Sequence, residues 1–110
     1  MTRLRAAALA IITLGALLVH AYGGAAADFT VTQRNKAFSV RQITITVRDR
    51  ITFVNGDSVN HNLYSETKGS EFEILQHPGR SDTVRFPQPG TVEVQCAIHP
   101  VMRLEVQVKQ

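Results

Sequence analysis

Beyond residue 40, apolar and polar side chains alternate with a period of two. Ile43, Ile45 and Val47 are separated by Thr44 and Thr46; Val84 and Phe86 alternate with Thr83 and Arg85. Val92, Val94 and Cys96 are interleaved with Glu93 and Gln95, and Leu104, Val106 and Val108 with Arg103, Glu105 and Gln107. This spacing sends one face of each segment into a core and the other into water, as half-buried strands require. The β-branched residues that dominate these runs suit a pleated surface and crowd a helix. Phe72 and Ile74 alternate with Glu71 and Glu73, which places those carboxylates on a solvated face, and Ile51–Val54 reads as a further strand. Turn residues punctuate the runs: Asn55-Gly56-Asp57 tolerates positive φ, while Pro78-Gly79 and Pro89-Gly90 suit tight reversals. No ten-residue stretch after Asp28 carries a helical stripe. The pattern predicts an all-β, antiparallel Greek-key β-sandwich.

The N-terminus reads differently. Arg3 and Arg5 precede an apolar run from Ala6 to Val19, and the small residues Gly23-Gly24-Ala25-Ala26-Ala27 follow. That is the three-part form of a secretory signal peptide with an A-x-A cleavage site. The run is well short of the roughly 20 residues a membrane span needs, so no stable membrane insertion is expected after cleavage. We therefore expect a signal peptide over residues 1–27, which removes His20, and one domain over residues 28–110. Export through such a leader fits a bacterial periplasm.

Composition narrows the function. The chain of 110 residues has a single Cys, so an internal disulfide is excluded, as are Cys₄ and Cys₂His₂ zinc sites. Without Arg3 and Arg5, ten basic residues face nine acidic ones, and none of the basic residues forms a concentrated face. A nucleic-acid partner is not expected. There is no Gly-rich phosphate loop, nucleophile elbow or catalytic carboxylate pair, so no enzyme is expected.

The chemistry gathers in Cys96-Ala97-Ile98-His99-Pro100-Val101-Met102. Cys96 ends one predicted strand and Met102 begins the next, so a hairpin brings them together with His99 at its tip. A fourth donor has to come from elsewhere; His61, after the 55–60 turn region, is the best placed. His77 lies in an exposed Pro-Gly turn and is set aside. Thiolate, thioether and two imidazoles form the ligand set of a type 1 copper site. Zinc would gain little from the thioether. Read singly, Cys96 and Met102 also fit as core residues, so a β-sandwich without metal stays open at this point.

The loop Cys96, His99, Pro100, Met102, Arg103 resembles that of the cupredoxins, and of their amicyanin-like members in particular. Phe53–Asn62 is similar to the segment carrying the first ligand in that family. The resemblance implies a cupredoxin sandwich with one copper held by His61, Cys96, His99 and Met102. It also suggests that the Asn62 N–H points at the Cys96 sulfur, while the Asn62 side chain ties the two ligand segments together. The implied function is single-electron transfer by a monomer between redox proteins, such as an exported dehydrogenase, a c-type cytochrome or a terminal oxidase. A copper storage or delivery protein would use the same donors and is the principal alternative.

Overall fold

The computed structural model describes residues 25–110, so the predicted leader up to Gly24 lies outside the described residues. Nine strands follow in order: β1 (Asp28–Arg34), β2 (Ala37–Phe38), β3 (Gln42–Thr46), β4 (Arg50–Asn55), β5 (His61–Ser65), β6 (Phe72–Gln76), β7 (Ser81–Arg85), β8 (Gly90–Cys96) and β9 (Arg103–Lys109). All the alternating runs became strands; Val47 falls in the turn after β3, and Glu71 and Phe86 lie one residue outside β6 and β7. The strands form two sheets, β2-β1-β4-β7 and β3-β9-β8-β5-β6. The sandwich is mixed in detail, because β1 pairs with β4 and β3 with β9 in parallel. Parallel neighbours need a crossover; here strands of the opposite sheet provide it.

The inward faces carry the predicted core. Val84, Phe86, Val92, Val94, Leu104, Val106 and Val108 are buried, together with Val31, Ile45, Ile51, Phe53 and Leu63. Phe53 on β4 sits at the middle of an aromatic chain, with ring centroids 6.3 Å from Phe38 and 6.3 Å from Phe72. Phe72 in turn meets Phe86 edge-on at 6.1 Å. Such tilted and edge-to-face contacts stabilise beyond the area they bury. A buried amide network fastens the sandwich near the 55–60 turn region. Gln33 Nε2 donates to Gln76 Oε1 (2.8 Å), and Gln76 Nε2 donates to the Phe53 carbonyl and to Asp82 Oδ2, both at 2.9 Å. Asn55 Nδ2 donates to the carbonyls of Val59 and Gln76 and so shapes the turn that leads into β5.

At the other connection, Asp49 accepts the Thr46 N–H (2.8 Å) and the Ala27 N–H (2.9 Å), tying the β3–β4 turn to the start of β1. Those two N–H groups, Thr46 first, hold the Asp49 carboxyl below its ordinary value of 3.8 against the opposing effect of burial. A carboxyl lowered on folding stabilises the native state above its unfolded pKa, and that contribution disappears as the pH falls through the folded value. Asp49→Asn is therefore expected to lower Tm at neutral pH, and its deficit against the wild type should shrink as the pH drops below 3.8; thermal melts across pH 2–7 check this. Phe53→Ala should cost about 3–5 kcal/mol in denaturant unfolding, because it empties the middle of the aromatic chain.

Candidate metal centre

The pairing of β5 with β8 sets the site. Leu63 stands opposite Cys96 in antiparallel register, and the Ala97 N–H donates to the Asn62 carbonyl at 2.9 Å. Side chains two apart on a strand share a face, so His61 points inward with Leu63 and lies beneath the segment that follows Cys96. β8 and β9 pair up to Gln95↔Arg103, and the Met102 N–H closes the loop onto the His99 carbonyl at 2.9 Å. The predicted hairpin is therefore present, with His99 at its tip.

Three of the four expected donors meet. His61 Nδ1 lies 3.1 Å from His99 Nδ1, and Cys96 Sγ lies 3.7 Å from each of those nitrogens. The point equidistant from the three atoms is about 2.0 Å from each, the length of a metal–imidazole bond and slightly short of a metal–thiolate bond. An ion thus fits the donors as they stand. Two imidazoles and one thiolate in a trigonal arrangement are the donor set copper favours for electron transfer. His61 and Cys96 are buried, whereas His99 is half-buried. Met102 is buried at the entrance to β9.

Around the triangle the hydrogen bonds are specific. The Asn62 N–H donates to Cys96 Sγ at 3.4 Å, as the resemblance suggests. The Asn62 side chain does not tie the ligand segments together: its Nδ2 donates to Glu73 Oε1 on β6 at 2.9 Å, and its Oδ1 is buried without a donor. The physical reason is the residue after Cys96. Ala97 offers no side-chain hydrogen, and its backbone N–H is already on the Asn62 carbonyl. His77 is exposed, with Nδ1 3.0 Å from Asn60 Oδ1, apart from the donor triangle. Glu71 and Glu73 are solvent-exposed as predicted.

Asp57 is the residue that sequence reasoning missed, having placed it only in a turn. Its Oδ2 lies 2.7 Å from His61 Nε2, and its side chain is 10% exposed. Burial raises the Asp57 carboxyl, but hydrogen bonds from the Lys36 N–H, His61 and the Asn35 N–H, with the electrostatic attraction of His61, outweigh it and leave the carboxyl below its ordinary value. The spacing of four residues between Asp57 and His61 is the sole signal in the sequence, and in a turn it does not distinguish contact from coincidence.

A family model of copper binding proteins, the plastocyanin/azurin family, matches residues 25–109. The chain belongs to this plastocyanin/azurin family. It is 34% identical over 95 residues to the methylamine utilization protein MauL of Methylorubrum extorquens, covering 84% of this chain and 83% of that protein. Amicyanin from Paracoccus versutus shares the fold, with a TM-score of 0.67 over 74% of this chain and 81% of that one, at 23% identity. A copper-containing nitrite reductase from Thermus scotoductus superposes with a TM-score of 0.69 at 23% identity, over 76% of this chain and 22% of the enzyme. At those identities the structures speak for the fold alone. This plastocyanin/azurin-family chain is a cupredoxin-type copper protein and not an enzyme.

Copper titration of the purified protein checks the donor triangle. One ion per chain is expected; His77→Ala should leave that stoichiometry unchanged, while Cys96→Ala should weaken binding strongly by removing the thiolate.

Proposed function

We propose that this protein is an exported single-electron carrier in which His61, Cys96, His99 and Met102 hold one type 1 copper ion. The observation that supports this reading is the compact triangle of two imidazole nitrogens and one sulfur, with one imidazole reaching the surface. Bound copper would supply the redox chemistry, taking up and giving back one electron between Cu(II) and Cu(I). With Met102 as a fourth, weak donor, side chains would fill the metal's positions and leave none for a substrate.

The chain's own residues account for the rest. The β5–β8 register holds His61 and Cys96 inside the sandwich, so these two donors would need little reorganisation when the charge of a bound ion changes. The Asn62 N–H on the sulfur draws electron density from the thiolate and tunes its strength as a donor. Pro100 fixes its own φ and biases His99 toward an extended backbone, which stiffens the loop. Around His99, Ala97, Ile98, Pro100 and Val101 form an apolar rim; Ile98 is 51% and Val101 81% exposed. A rim of this kind suits brief docking, since redox encounters bury less than about 1,200 Å². The partners we assign are redox proteins such as an exported dehydrogenase, a c-type cytochrome or a terminal oxidase, met by the monomer in the periplasm. The name of MauL makes methylamine utilization the first process in which to look.

Complete burial of His61 and near-complete burial of Cys96 favour a carrier over a delivery protein, which has to surrender its ion readily. The copper-loaded protein is expected to show an intense visible thiolate-to-copper band and a narrow copper hyperfine splitting. Cys96→Ser should abolish the band with the fold kept, and Met102→Ala should retain copper but shift its potential. A colourless copper-loaded protein, or a Met102→Ala variant with unchanged spectrum and potential, would refute the ligand assignment.

A further inference from the structure

Hydrogen bonds reach the Asp57 carboxylate from two directions. Asn35 and Lys36 form the β1–β2 turn, and both adopt left-handed backbone, at φ 53° and 55°. Successive N–H groups in such a turn make a small anion-binding concavity. The carboxylate occupies it, accepting the Asn35 N–H on Oδ1 at 2.5 Å and the Lys36 N–H on Oδ2 at 2.9 Å. The Asp57 backbone is pinned as well, its N–H donating to Asn55 Oδ1 at 2.9 Å. On the far side, Oδ2 meets Nε2 of the fully buried His61 at 2.7 Å.

An ionised carboxylate can only accept. The ring nitrogen that faces it must therefore carry the hydrogen. With Nε2–H fixed in this way, the other nitrogen of a neutral imidazole presents a bare lone pair, and that nitrogen is the one 3.1 Å from His99 Nδ1 and 3.7 Å from Cys96 Sγ. We propose that Asp57, gripped by the backbone of the Asn35–Lys36 turn, is the positioning residue that fixes the tautomer and ring orientation of His61 and strengthens its Nδ1 as a metal donor. The metal side of this proposal rests on reading His61 as a copper ligand. A carboxylate behind a ligating imidazole makes the ring more basic and favours the more highly charged ion, so Asp57 lowers the potential. The turn between β1 and β2 thereby acts on the metal centre through a single side chain.

The tautomer can be read without copper and without a variant. In the metal-free wild-type protein, ¹⁵N NMR at neutral pH is expected to place the His61 hydrogen on Nε2. Asp57→Asn offers one acceptor oxygen to three N–H donors, so the exclusive preference for Nε2–H should be lost. The same substitution should weaken copper binding by about 10–100-fold and raise the potential. A role confined to capping the β1–β2 turn would change thermal stability and leave the tautomer and potential where they were. A wild-type His61 with its hydrogen on Nδ1 overturns the proposal even if the variant fails to fold, as does an Asp57→Asn protein with unaltered tautomer and potential. Wild-type protein that takes up no copper would instead undo the copper reading, and the metal-free spectrum would still decide the role of Asp57.

Discussion

The antiparallel pairing of β5 with β8 is the constraint on which the rest of the site depends. Its register sets Leu63 opposite Cys96, and one further hydrogen bond, from Ala97 to Asn62, carries the pairing into the loop. Because strand side chains alternate, this register puts His61 on the inward face under the Cys96 loop. A slip of one residue would turn His61 to solvent and dissolve the donor triangle. The force that holds the register is ordinary core packing: Leu63, Val92, Val94 and Leu104 belong to the same buried faces as the donors. Binding geometry and hydrophobic burial are thus two consequences of one strand alignment.

The two imidazoles then play unequal parts. His61 is enclosed by the sheet on one side and by Asp57 on the other, and Asp57 is itself clasped by the β1–β2 turn. His99 stands on a short loop between two strands, half-buried, with exposed apolar neighbours. One ligand segment is anchored in the interior, and the other faces the surface where a partner can approach. In the proposed carrier this division resolves a conflict inherent in electron transfer. The site has to be rigid enough to limit reorganisation and yet lie close enough to the surface for electrons to cross.

Polar groups near the site are buried but mostly matched. Gln33, Gln76 and Asn55 bridge the sheets by side-chain amide hydrogen bonds, and those from Asn55 to Val59 and Gln76 fix the loop on which Asp57 sits. Buried networks of this sort specify one arrangement, since an unmatched amide in the interior is costly; Gln33 Oε1 is nonetheless left without a donor. Asn62 departs from the pattern as well. Its backbone serves both the sulfur and Ala97, while its side chain turns to Glu73 and leaves Oδ1 unmatched.

The sequence by itself determined six of the nine strands, β3, β4 and β6 to β9, with their buried faces and the loop from Cys96 to Met102, whereas β1, β2 and β5 emerged only in the fold. Those features depend on period-two alternation and on donors only a few residues apart, and both are local properties of the chain. It also pointed to His61, because a short turn after a strand limits where that ring can go. Only the tertiary structure decided that β1 and β3 lie parallel to β4 and β9, since a parallel neighbour is joined through distant chain and leaves no mark in local spacing. Only the tertiary structure, likewise, brought the Asn35–Lys36 turn to Asp57 and Asp57 to His61. Asp57 reads as a turn former from its neighbours alone; its contact with the Asn35–Lys36 turn arises because β1 and β4 align in the sheet, and the pairing of strands far apart in sequence is set by the packing of the whole core.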